Sequence, residues 1–130
     1  MLESFKIEST KQKELIDITN SVEKIVGKSK VSEGLCLVFT NHTTAAIIMT
    51  EFEDGLDGDI LSGIEQLKPK GPFKHAHNPD HSPSHIFSGF FGPDLVMPVE
   101  NAALSLGTWQ RVLFLELDGP RERKVTVVVK

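Results

Sequence analysis

The chain has 130 residues, 39% of them hydrophobic, a formal net charge of −4 and a pI near 5.7. That is enough to bury one core, with no shift of composition to mark a second, so a single domain over residues 1–130 is expected. The acidic balance argues against nucleic acid and anionic membrane as partners, and no apolar window approaches the roughly 18 residues of a membrane span or the pattern of a signal peptide.

Ser4 to Ser9 alternates, with Phe5 and Ile7 on one face, and reads as an opening strand turned by Lys11 to Lys13. From Ile18 onward Val22, Ile25 and Val26 recur at helical spacing, with Gly27 as the expected stop. "GLCLVFTN" is a continuous apolar run bounded by glycine and asparagine, hence a central strand, and it delivers His42 at its end. Cys36 lies inside it as the only cysteine, so no intramolecular disulfide is possible and a cytoplasmic location is expected. "AAIIMTEF" reads as a second strand, although its alanines leave a helix open. Leu56, Ile60, Leu61, Ile64 and Leu67 form an amphipathic helix ending before Pro69. Pro69 to Asp80 is a long loop, and such loops are usually functional or disordered. Ser82 as a cap and Pro83 at the first turn open another helix, whose stripe of Ile86, Phe87, Phe90 and Phe91 ends at Gly92-Pro93. "DLVMPVE" is a strand with Pro98 at an edge or end. "WQRVLFLEL" and "KVTVVVK", joined by the turn chemistry of "DGPRER", read as a closing hairpin. Irregular alternation of these elements predicts an α+β domain, a largely antiparallel sheet with helices packed on it.

Chemistry concentrates at residues 74–85, "KHAHNPDHSPSH", which hold four of the five histidines. Pro79 and Pro83 prevent one helix from carrying His77, His81 and His85 together, so the stretch is a loop running into a helix start. There the macrodipole disfavours a protonated His85 and keeps it free to ligate. His75 or His77, with His42 from the strand, could complete a three-nitrogen metal site with an open position; the competing reading is a solvated histidine-rich loop, which suits His77 and His81 best. The acidic run Glu51, Glu53, Asp54, Asp57 and Asp59 lacks calcium-loop spacing and mostly favours the following helix N-terminus. Glu51, just after its strand, is the exception, a base or an imidazole-orienting group that could share the sheet end of His42. Arg111, Arg121 and Arg123, with Glu116 between, serve either as anion ligands or as cross-strand salt bridges. Exposed amides at "SPSH" add an anion site, which places Ser82 and Ser84 beside a phosphorylated small molecule. Trp109 is expected in the core or at a subunit interface.

"NHTTAA", Glu51, "KHAH", "SPSHI", "LGTWQ" and "ELDGPRERKVTV", in this order, resemble the YjbQ-like family, also called secondary thiamine-phosphate synthase enzymes, over nearly the whole chain. The resemblance implies a homotrimeric α+β domain and, in some members, weak joining of a hydroxymethylpyrimidine diphosphate to a thiazole phosphate with release of pyrophosphate. It places a histidine pocket on His42, His75 and His85 with Glu51 nearby, Trp109 and Gln110 in a Gly-Thr-Trp-Gln motif, and Arg121 and Arg123 on the last strand pair. Phe73 for a usual tyrosine, Thr50 for a usual asparagine and the "AHNPDH" insert depart from the pattern. The expectation is a metal-binding enzyme, zinc being a candidate ion, in which His42, His75 and His85 hold the metal, Glu51 and Arg121 are catalytic, and Ser82, Ser84, Arg121 and Arg123 bind phosphate. A metal-dependent hydrolase and a non-catalytic trimeric binding module are the alternatives.

Overall fold

A computed structural model describes all 130 residues. In chain order it comprises β1 (Leu2–Glu8), β2 (Glu14–Asp17), α1 (Thr19–Ser29), β3 (Glu33–Phe39), β4 (Ala45–Thr50), α2 (Leu56–Gln66), a 3-10 turn (Pro79–His81), α3 (Ser82–Phe91), β5 (Asp94–Glu100), β6 (Ala103–Leu104), β7 (Arg111–Glu116) and β8 (Glu122–Val129). All strand pairs are antiparallel, in a five-stranded sheet of order β1-β8-β3-β5-β6 and a three-stranded sheet of order β2-β7-β4. The α+β expectation holds, with β3 at the centre of the larger sheet.

The larger core lies between the sheets and under α1, where Val22 and Val26 meet Cys36, Val38, Ile47, Phe114, Val125 and Val127. The smaller core covers the other face of the three-stranded sheet, with Ile64 of α2 and Phe87 of α3 against Ala46, Leu113, Leu115 and Leu117. Residues on both faces of β7 are therefore buried, which explains the uninterrupted apolar run Val112–Leu115.

The pairing of β7 also removes the expected hairpin. β7 is paired on both sides, by β2 and β4, so it has no edge to offer β8, which instead fills the gap between β1 and β3. Residues 117–121 thus turn a corner between sheets. The corner is tight at Gly119, where a Cβ would sit 2.3 Å from the Lys11 carbonyl and 2.6 Å from Ser9 Oγ.

Two helix bounds also move. α1 runs past Gly27 to Ser29 and closes through Lys30 at φ 58, because burying Val26 requires a last turn beyond it. α3 is preceded by the 3-10 turn, so the Ser82 amide donates to the Pro79 carbonyl and the Ser82 hydroxyl makes no capping bond. β2, too short to show a period beside the lysine-rich turn, is absent from the sequence reading.

The outer face of the five-stranded sheet is unusual. Leu2, Val128, Leu37 and Val96 are successive cross-strand partners on β1, β8, β3 and β5, with Leu35 and Phe39 beside them. Leu2, Leu35 and Val96 are each more than half exposed. An antiparallel sheet normally keeps polar residues on a face left to water.

Candidate functional site

Three segments converge at one pole of the molecule: the β3–β4 connection with Asn41, His42, Thr43 and Thr44; the start of α3 with His81 and His85; and the β7–β8 corner with Asp118, Arg121 and Arg123. Together they line a polar cleft of about 390 Å³. His85 also borders two adjoining hollows, one reaching Phe39 and Ser88, the other bounded by Phe73, His75 and Ile86. The long loop thus brings His75 to His85 from ten residues away.

Backbone partners define the protonation of both imidazoles. His85 Nδ1 lies 2.9 Å from the Thr43 carbonyl, which only accepts, so Nδ1 carries the hydrogen and Nε2 a lone pair. His75 Nδ1 accepts from the amides of His77 and Asn78 at 3.3 and 3.5 Å, so its hydrogen is on Nε2. The two Nε2 atoms are 3.2 Å apart, and His75 donates to His85. A directional chain runs from the loop amides through both rings to a β-strand entry carbonyl.

The opposite wall is built differently. Arg123 is 2% and Glu116 0% exposed. Arg123 Nε donates to Glu116 Oε1 at 2.9 Å and Nη2 to the Thr44 carbonyl, Thr44 Oγ1 and Glu116 Oε2. Ser9 Oγ donates to Glu116 Oε1 at 2.6 Å, and the Asp118 amide donates to Oε2. Burial pushes the Glu116 carboxyl up, but the bonds from Arg123, Ser9 and Asp118 outweigh it and hold it below its ordinary range. Outside this pair, Arg121 Nη2 donates to Asp118 Oδ2 at 2.8 Å, and His81 Nδ1 lies 3.7 Å from the same oxygen. His42 closes the wall: its Nε2 accepts from the Lys124 amide at 3.0 Å, and burial followed by the positive charge of Arg123 lowers its pKa.

A family model described as "UPF0047 protein YjbQ-like" matches residues 3–130. The chain belongs to the YjbQ-like UPF0047 family. A UPF0047 protein of Archaeoglobus fulgidus is 45% identical, with 93% of this chain and 94% of that one covered. YugU of Bacillus subtilis is 36% identical over 95% and 94%. Among solved structures, a YbjQ-like protein of unknown function from Sulfolobus solfataricus superposes with a TM-score of 0.94 at 41% identity, covering 99% and 95% of the two chains.

In this UPF0047 chain the cleft gathers His42, His85, Arg121 and Arg123, and the adjoining hollow, which shares His85 with it, holds His75 and Ser82. It does not gather Glu51. β4 starts at the cleft and carries Glu51 past its far end, about 20 Å away at 3.3 Å per residue. The expectation that Glu51 shares the sheet end of His42 is corrected: Thr50 pairs with Arg111 at the opposite pole, beside the exposed Trp109. Trp109 is therefore not a core residue. Ser84 turns away to donate to the Leu117 carbonyl at 2.9 Å. His77 is exposed, whereas His81, read as solvated, is half-buried at the cleft. Arg111, Arg121 and Arg123 all have carboxylate partners, Arg111 with Asp17 at 2.8 Å and Arg121 with Asp118 inside the corner, and only Arg121 and Arg123 also reach the cleft. Thr43, Thr44 and Asp118 carried no sequence signal beyond their place in the family motifs.

The metal question turns on the donor set. Two imidazole nitrogens on one tetrahedral zinc stand about 3.4 Å apart, given Zn–N bonds near 2.0–2.1 Å, and the His75–His85 separation suits that once His75 releases its Nε2 hydrogen. No group of three or more His, Cys, Asp or Glu side chains is arranged around a common point. No helix is long and apolar enough to cross a membrane.

Proposed function

We propose that this UPF0047 protein is an enzyme acting on a small phosphorylated metabolite in the His42–His85–Arg121 cleft. The observation that carries the reading is the meeting of imidazoles and guanidinium groups from chain-distant segments around one polar cavity. Loss of phosphate or pyrophosphate from carbon develops negative charge on the departing oxygens, and cationic and hydrogen-bond-donating groups fixed around them stabilise it. The finer form is a thiamine-phosphate-synthase-like transfer joining a hydroxymethylpyrimidine diphosphate to a thiazole phosphate. The second reading, a metal-dependent phosphohydrolase, is favoured by the paired Nε2 atoms of His75 and His85. A divalent ion such as zinc, bound by that pair, would supply Lewis-acid stabilisation of phosphoryl oxygens.

A cytoplasmic homotrimer is part of the proposal. The exposed apolar row on the five-stranded sheet supports self-association. In an assembly, Glu51 could enter a cleft only from a neighbouring subunit, since its own lies a strand length away.

The test is elemental mass spectrometry on untagged protein, wild type beside His75→Ala and His85→Ala, followed by turnover of the pyrimidine diphosphate with and without the thiazole phosphate. Product formation that needs both substrates supports the synthase, and phosphate release without the thiazole supports the hydrolase. Phosphate binding with no turnover of either kind would reduce the protein to a binding module.

A further inference from the structure

Two polar groups on the fixed wall of the cleft are unaccounted for by the ion pairs. His42 Nε2 is occupied by the Lys124 amide, so a neutral His42 must carry its hydrogen on Nδ1. Nδ1 makes no hydrogen bond within the chain, and no buried side-chain nitrogen or oxygen lacks a partner, so Nδ1 is open to solvent where the ring lines the cleft. The same reasoning applies to Arg123. Its Nε and Nη2 are spent on Glu116 and Thr44, while Nη1 has no partner and yet is not sealed, although the side chain is only 1% exposed. A guanidinium this buried presents its remaining donor edge only through the cleft it lines.

We infer that His42 is a neutral oxyanion donor, not a third metal ligand: its Nδ1–H and Arg123 Nη1 form a rigid two-donor cradle for a phosphoryl oxygen, with Arg121 at the rim. The Thr40 side chain holds this geometry from behind, because its hydroxyl donates to the Lys124 carbonyl at 3.1 Å, tying the His42 connection to β8. The cradle and the His75–His85 pair stand on different elements, so the site divides into an anion half built on the sheets and an imidazole half built on the loop and the start of α3. At the start of α3 the 3-10 turn engages the Ser82 amide with the Pro79 carbonyl, which takes that one donor away from any anion there. The inference deepens the phosphorylated-metabolite reading and rests on it for the identity of the ligand.

The experiment uses nitrogen-15 imidazole spectra of the full chain and titrations with inorganic pyrophosphate. In the wild type, His42 should show protonated Nδ1 and pyridine-like Nε2, and zinc should shift the His85 Nε2 resonance while leaving both His42 nitrogens in place. A protonated Nε2 on His42, or a zinc shift matching that of His85, would overturn the inference whether or not any substrate is turned over. Asparagine places its amide where Nδ1 stands and glutamine where Nε2 stands. Pyrophosphate affinity should therefore stay within about threefold of wild type in His42→Asn and fall at least tenfold in His42→Gln. Equal affinities in both variants, or no saturable pyrophosphate binding by folded wild type, would also overturn it. Failure of the turnover assays alongside these results would remove the enzyme reading and leave the cradle standing.

Discussion

The two walls of the cleft hold comparable polar groups by opposite means. At the β7–β8 corner, Arg123 and Glu116 are sealed between the sheets and nearly every donor and acceptor is paired within the chain. On the other side, His75 hangs from a loop with no helix or strand between Gln66 and Pro79, positioned by two long amide contacts and one imidazole. The difference teaches that one wall is part of the folding free energy and the other is nearly independent of it. Substitutions on the first should cost stability and function together, and on the second function alone.

The sharpest way to break that comparison is Arg123→Met, which strands a buried carboxylate. A loss of about 3–5 kcal/mol in urea denaturation is expected, with much of it recovered in Arg123→Met/Glu116→Leu because the unpaired charge is then gone. A variant as stable as wild type would contradict the claim that this wall is structural. Gly119→Ala comes next: its methyl meets backbone at 2.3 Å, so the corner must shift, and a destabilisation of about 1–3 kcal/mol is expected by thermal melting. Acid should reveal the same pair. Because the Glu116 carboxyl is held below its ordinary 4.5, its stabilising contribution is complete above that value and is lost as pH falls through the lower folded one. Stability should decline below about pH 4.5, less steeply in Glu116→Gln, as read from denaturant midpoints across pH. On the loop wall, His75→Ala should change stability by less than about 1 kcal/mol while abolishing zinc uptake; unfolding of this variant would erase the contrast between the walls. The smallest effect concerns Cys36, whose thiol burial and the charge of Glu23 push up to about 11. It should resist alkylation at neutral pH until the chain unfolds, as followed by mass spectrometry.

How far the sequence could be read follows the same division. Strands and helices with an apolar period, such as β1, α2 and α3, were legible because burial of one face imposes the period. The partnering of β7 and β8 was not, since an Asp-Gly-Pro turn suits a hairpin and a corner equally and only the saturation of β7 by β2 and β4 decides between them. Histidine density at residues 74–85 pointed to the site, and the family motifs chose His42, His75 and His85 from five. No linear signal reports which ring nitrogen a backbone amide will occupy, and that is what separates His42 from the other two. Glu51 shows the converse: its chemistry suited the site, but strand length carried it away.

The placement of β8 between β1 and β3 has a consequence for how the chain is made. Leu2 pairs with Val128 and Glu8 with Glu122, so the first strand synthesised waits for the last one before it has a neighbour. A nascent chain can assemble α1 and the β2-β7-β4 sheet once β7 has emerged, but the larger sheet stays split, with β1 detached from the β3-β5-β6 portion, until residues 122–129 leave the ribosome. Closure of the fold, and with it the Arg123 side of the cleft, is therefore a late event dominated by contacts between the two ends of the chain, the kind of topology that folds slowly.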